Sequence, residues 1–357
     1  MSSLKIKEIS ICPLQAPLLQ PFRIAIGQHN ILDNLLLTLK LADGTIGYGE
    51  AAIASHITGE TIEKTKENLS IAADCLKIYE ASDYLKISHW LHSSFVNNKA
   101  AVAAIEMALL DALTRSMKIP LWRMFGSKAH RLTTDITIVI ATLEETQAKV
   151  KEFYRRGFRS FKVKVGSDMD LDFKRVQAVA HLAPRAQIIL DANQGFDAKQ
   201  TLKFLKDLDK AGIKLDLIEQ PVAKGDIEGL KRVSRLSKVP VCADESASSI
   251  TDVIGLIKEK AVGVINIKLM KTGLIHSFEI ARLAKAHNLK IMIGGMMESN
   301  VAMTAAAHLA SGFGCFDFVD LDTPFFIKGE LARNPYLSDS GVYDLSKVKI
   351  GIGIKPV

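Results

Sequence analysis

Eight short, β-branched apolar runs recur from residue 136 onward in this chain, each followed by a stretch of helical periodicity. They occupy residues 136–140, 161–165, 188–191, 215–219, 241–244, 264–268, 291–294 and 316–320. The polar positions Lys162, Asp191, Glu219, Asp244 and Lys268 follow one another at intervals of 24 to 29 residues. One strand, one helix and two short loops fill such an interval. Apolar strands alternating with helices make a parallel sheet covered on both faces, and eight such units predict a closed β/α barrel. An open doubly wound sheet competes with it, but no Gly-x-Gly-x-x-Gly follows the first strand.

The first ~125 residues differ from this unit. Residues 6–13 and 35–41 are extended, and Ala42-Asp43-Gly44 is a hairpin turn into residues 45–49. Helical periodicity takes over after Gly59, and residues 100–117 place Val102, Ile105, Ala108 and Leu109 on one helical face. This predicts a small α+β domain over residues 1–127, the barrel over 128–325, and a glycine-containing segment, 326–357, that returns to the first domain.

Composition narrows the function classes. The chain has 357 residues, 48% hydrophobic and 24% charged, which excludes disorder and fibrous repeats. Its net charge of +7 is spread without a run of five like charges, so no nucleic-acid partner is expected. Cys12, Cys75, Cys242 and Cys315 form no Cys-x-x-Cys pair and read as reduced thiols. The N-terminus, Met1-Ser-Ser-Leu-Lys-Ile-Lys-Glu, lacks a signal-peptide core, and the apolar stretch 100–113 is broken by Glu106 and Asp111. A cytoplasmic protein without a membrane partner is the expectation.

Charge at the end of an apolar barrel strand belongs to a polar mouth. Asp191, Glu219 and Asp244 end three consecutive strands, and three converging carboxylates need a cation. An all-oxygen set suits Mg²⁺; each as a separate helix N-cap is the plainer alternative. Lys162 and Lys164 alternate along one strand and share a face, while Lys268 ends a strand across the barrel. Beside a metal and another ammonium, a lysine pKa is expected to fall far enough for base chemistry. Two such bases flanking one metal suggest proton removal from one face of a carbon and return to the other.

The set Lys162-Val-Lys164, Asp191-Ala-Asn193, Glu219-Gln-Pro221, Asp244-Glu245-Ser246 and Lys268 resembles the enolase superfamily, muconate-lactonizing subgroup, over essentially the whole chain. The resemblance implies an α/β fold with an enolase-type (β/α) barrel and an N-terminal α+β cap completed by the C-terminal segment. It implies Mg²⁺ on Asp191, Glu219 and Asp244, with Lys164 and Lys268 as the opposed acid/base pair. Lys162 would help neutralise a substrate carboxylate, and Asn193 would lie near that carboxylate or the metal. The seventh strand ends in Gly294-Gly295-Met296-Met297-Glu298, without the histidine of the mandelate-racemase branch. The eighth ends in Asp320-Leu321-Asp322, which resembles the dipeptide epimerases, where such a pair holds the substrate ammonium. Thr137 matches a substrate-contacting position of that group.

Specificity is expected from a capping loop over residues 17–30. Relatives acting on Ala-Glu carry an arginine where alignment on Pro21-Phe22 places Gly27 here, with Arg23 four residues earlier. Met296, Met297, Ile24 and Ile26 would offer a small apolar pocket. The reading is an isomerase: a Mg²⁺-dependent epimerase of small hydrophobic dipeptides such as Ala-Ala. An Ala-Glu epimerase, a cycloisomerase or o-succinylbenzoate synthase, and a non-catalytic metal-binding barrel are the alternatives. Assembly into a homo-oligomer is left open.

Overall fold

The computed structural model describes residues 4–357, apart from the side chain of His56; the first three residues of the stretch read for a targeting signal lie outside it. Three antiparallel strands come first: β1 (Ile6–Ile24), β2 (Gly27–Leu41) and β3 (Ile46–Ala51). The expected loop over residues 17–30 is instead the far end of a long β1–β2 hairpin, turning at Ala25-Ile26. Pro17 and Pro21 mask the strand in the sequence because proline cannot donate to a ladder. The register shift between Pro17 and Phe22 absorbs them as a bulge.

The helix Lys99–Ser116 packs on this sheet with almost every residue buried, so it is a core helix rather than one with a single apolar face. Its alanines and the glycines of β3 permit an unusually close approach. A Cβ at Gly47 or Gly49 would collide with the carbonyl oxygens of Ala108 and Ala104.

β4 (Leu132–Thr133) pairs with the late strand β13 (Val342–Tyr343). Between them lie all eight predicted barrel strands: β5 (Ile136–Ile138), β6 (Ser160–Lys164), β7 (Gln187–Asp191), β8 (Leu217–Glu219), β9 (Val241–Ala243), β10 (Val264–Lys268), β11 (Lys290–Gly294) and β12 (Phe318–Val319). They form one parallel sheet in sequential order. Its two ends meet where Asp135 N–H donates to Val319 O at 2.9 Å. Ile189, Leu217, Cys242, Val264 and Met292 pack in a layer of their own beneath the polar mouth. The helices between strands start at side-chain caps, such as the reciprocal pairs Thr142/Glu145 and Asp197/Gln200, except Leu269–Ala286, which follows Lys268 without one.

The C-terminal segment runs back along the first 125 residues. Lys328 N–H donates to Pro17 O, Leu121 N–H to Gly351 O, and Ile352 N–H to the buried Asp111 carboxylate. No helix among the described residues is long and apolar enough to cross a membrane.

Candidate active site

In a parallel barrel the strand carboxyl ends share one mouth, and here they deliver a dense array of buried charge. Lys162, Lys164, Asp191, Glu219, Asp244, Lys268, Asp320 and Asp322 are each less than a tenth exposed. Asp191 and Glu219 are register partners on β7 and β8, and Lys164 is the partner of Asp191 on β6. Immediately after these ends, Asn193, Gln194 and Gln220 adopt left-handed backbone at φ of 39°, 71° and 33°. Strained, non-glycine turns of this kind persist where surrounding contacts hold them. Gln220 shows how: its Oε1 accepts from Asp244 N and Ser246 N, while its Nε2 donates to Val222 O and Ser246 Oγ.

Lys162 Nζ sits centrally, 2.6 Å from Asp320 Oδ2, 2.8 Å from Glu219 Oε2 and 3.1 Å from Asp191 Oδ2. Lys164 Nζ donates to Asp191 Oδ2 at 2.7 Å and to Asn193 Oδ1 at 3.1 Å. Across three intervening strands, Lys268 Nζ meets Asp244 Oδ2 at 2.7 Å. Lys271, one turn further on, holds Asp244 Oδ1 at 2.7 Å.

Burial alone would lower the Lys268 pKa, but Asp244 and Glu219 raise it instead; Asp320 and Glu219 do the same for Lys162 against a similar burial cost. The lowering expected from sequence is thus reversed for these two lysines, because each ammonium lies against buried carboxylates. Asp191 runs against its burial and is held at about 2 by Lys164 and Lys162, and Asp244 is held low by Lys268 and Lys271.

Glu219 differs from both. Burial, then repulsion from Asp191, pushes it up to about 8, against the pull of Lys162, whose Nζ stands 2.8 Å from its Oε2. Three buried carboxylates at the ends of consecutive strands, one of them held above its ordinary range by burial and its acidic neighbours, are an all-oxygen donor set that fits a hard divalent cation. The triad oxygens are not drawn together on their own, however. Among the described residues, the acidic group with oxygens all within 4.8 Å of one another is Asp135, Asp320 and Asp322.

A cavity of about 50 Å³ opens over this array. Of the sequence-predicted residues, Thr137, Lys162, Lys164, Asn193, Lys268, Met296, Met297, Asp320, Asp322 and Ile24 line it. Arg23 does not: its Nε donates to Gln28 Oε1 on the outer side of the hairpin. Ile26 at the turn is exposed, so it adds nothing to the apolar pocket, and Gly27 is absent from the lining too. The wall is completed by Phe22, His29, Ala54, Ile57 and Thr323, which sequence reasoning missed. Strand alternation from Phe22 to Ile24 carried a usable signal for Phe22. The loop bearing Met296 and Met297 is fixed by Glu298, whose Oε1 accepts from Met296 N, and by Asn34, whose Nδ2 donates to Met297 O.

Residues 6–126 match the family model "Mandelate racemase / muconate lactonizing enzyme, N-terminal domain", and residues 145–357 match "Enolase C-terminal domain-like". The chain belongs to this enolase-superfamily family. One relative within it is a hydrophobic dipeptide epimerase from Citrifermentans bemidjiense, 46% identical over 99% of this chain and 98% of the relative. An aromatic dipeptide epimerase from Herpetosiphon aurantiacus is 39% identical over 93% and 92%. The structure of a dipeptide epimerase from Enterococcus faecalis, complexed with Mg and L-Leu-L-Tyr, superposes with a TM-score of 0.93 at 30% identity, covering 98% of this chain and 99% of that one. The enolase-type barrel and its antiparallel companion sheet are therefore family features.

Proposed function

We propose that this enolase-superfamily member is a Mg²⁺-dependent dipeptide epimerase that inverts the α-carbon of the C-terminal residue. The observation that carries the reading is one small cavity lined by Lys164 and Lys268 from opposite strands and by the Asp320/Asp322 pair. The dipeptide epimerases among its relatives support it.

Asp191, Glu219 and Asp244 would hold the cation, which supplies Lewis-acid stabilisation of charge developing on a substrate carboxylate. Lys162 adds a fixed positive charge at the same place, where it counts most in the transition state. Asp320 and Asp322 receive the N-terminal ammonium, and Thr137 fixes Asp322 through a backbone N–H bond of 2.5 Å. One lysine Nζ takes the α-proton, the C–H electron pair moves into the carboxylate as an enediolate, and the other Nζ protonates the opposite face. Lys164 and Lys268 exchange roles between the two substrate isomers. Binding the substrate at both ends holds its α-carbon between them. Asn193, hydrogen-bonded to Lys164, orients that base.

The second-residue side chain meets Phe22, Ile24, Ile57, Met296 and Met297, with no arginine or lysine among the lining residues beyond the central three. An unpaired side-chain carboxylate would be costly there. The substrate class is therefore small hydrophobic dipeptides such as Ala-Ala. We further take residues 1–127 as cap, 128–325 as barrel and 326–357 as the segment returning to the cap. Four free, scattered cysteines support a cytoplasmic setting.

A dipeptide library incubated in D₂O and read by mass spectrometry tests the assignment. Mass gain at one carbon of Ala-Ala-like members, dependent on Mg²⁺, is expected. No exchange in any dipeptide would refute it.

A further inference from the structure

Asp135 was not singled out by the sequence, since it stands at the start of the first barrel strand rather than at its end. It is 1% exposed. Its backbone closes the barrel onto Val319, and one of its carboxyl oxygens lies within 4.8 Å of an oxygen from each of Asp320 and Asp322. Those two neighbours are engaged by donors: Lys162 binds Asp320 Oδ2, and Thr137 N–H binds Asp322 Oδ2. Among the described residues, no donor makes a hydrogen bond to either oxygen of Asp135. Asp320 and Asp322 line the cavity, and Asp135 does not; it lies behind them.

Three carboxylates this close, in a dry interior, cannot all be ionised. One nearby ammonium, Lys162, is already shared with Asp191 and Glu219. The proton belongs on the carboxyl group for which ionisation costs most, and that is the one without donors. Burial, then the charges of Asp320 and Asp322, push Asp135 well above the ordinary carboxylate range, in agreement with the contacts.

We propose that Asp135 is a positioning residue for the substrate ammonium: a buried neutral carboxylic acid that donates a hydrogen bond to Asp320 from behind. This bond fixes the Asp320 carboxylate toward the cavity and leaves the Asp320/Asp322 pair its negative charge. The inference rests on reading that pair as the ammonium site.

Three forms of the full-length Mg²⁺-loaded enzyme separate the two ideas: wild type, Asp135→Asn and Asp135→Val. Each is assayed with Ala-Ala and with N-acetyl-Ala-Ala, which has no ammonium. The wild type should strongly prefer Ala-Ala. Asp135→Val, which cannot donate, should raise KM for Ala-Ala by roughly tenfold or more with kcat within about threefold, and leave N-acetyl-Ala-Ala kinetics unchanged. Asp135→Asn, which donates but carries no charge, should restore KM to within about threefold of wild type. If the valine variant does not fold, Asp135→Ala takes the same reading. An apolar variant with wild-type KM, or an asparagine variant as poor as the apolar one, overturns the role of Asp135 alone. A wild type indifferent to N-acetylation overturns the ammonium reading, and the role of Asp135 with it.

Discussion

Lys164 and Lys268 are not equivalent in their surroundings, although the proposed chemistry asks the same of both. Lys164 shares Asp191 with Lys162, whereas Lys268 faces Asp244, itself tied down by Lys271. Positioned proton transfer is worth roughly 10²–10⁴ in rate, and epimerisation needs both lysines in each direction. Lys164→Ala and Lys268→Ala are each expected to lose epimerisation by at least about 10³-fold while keeping the fold. Each should still exchange the α-proton of one isomer with D₂O, opposite isomers for the two variants, as read by NMR. Epimerisation at wild-type rate in either would remove the two-base scheme. Replacing Glu219 by Gln should leave melting largely intact and remove Mg²⁺-dependent activity, because the carboxylate set loses one of its three charges. Retained Mg²⁺ affinity by calorimetry would take Glu219 out of the ligand set. These residues were legible because charge at a barrel strand's end violates the apolar pattern. Asp135 was not, since one aspartate before a strand is ordinary in sequence, and only the curvature that seats it beside Val319 gives it meaning.

Among the elements, the β1–β2 hairpin decides what the cavity admits. The eight barrel strands could be read because period and burial agree along each of them. The hairpin could not, because its prolines and polar alternation look like a loop until β2 is paired along it. Pairing sends Phe22, Ile24 and His29 inward and Arg23 outward, where its Nε donates to Gln28 Oε1, while its backbone carbonyl accepts from Ile140 N–H. Arg23 therefore stays outside the lining of the cavity. The wild type is expected to show kcat/KM for Ala-Ala at least about tenfold above that for Ala-Glu, the scale of one unpaired buried charge or a few methylenes. Arg23→Ala should leave this ratio unchanged. A clear advantage for Ala-Glu that disappears in Arg23→Ala would mean the hairpin bends the arginine inward in solution.

At the scale of the molecule, the barrel and its companion layer are joined through buried polar groups, and these set the response to acid. Glu50 on β3 accepts from Ser299 N, Ser299 Oγ and Ala302 N at the start of the helix Asn300–Phe313. The same helix carries His308, fully buried, whose Nδ1 accepts from Trp122 N–H while its Nε2 faces Ile352 O. A donor at Nδ1 requires the neutral ring with its proton on Nε2, so protonation breaks the bond to Trp122. Burial, helped by Arg115 and opposed by the bond to Ile352, lowers the His308 pKa from 6.5 to about 4. A folded-state value below the unfolded one gives stability that is present above pH 6.5 and is lost as pH falls toward 4. The amount is on the order of 3 kcal/mol if the whole shift is realised. His276, stacked on His92 and also lowered to about 4, acts in the same direction. Between pH 7 and pH 4 these histidines pull Tm down, while buried carboxyl groups held above their ordinary range, Glu50 and Glu219 among them, pull it up as the folded state takes up their protons. His308→Gln, which can serve both backbone partners without titrating, should melt lower at pH 7, and the difference from the wild type should shrink as pH falls toward 4, because only the wild type loses the contribution of His308. Parallel Tm curves for the two proteins would show that His308 takes up no proton on unfolding in this range.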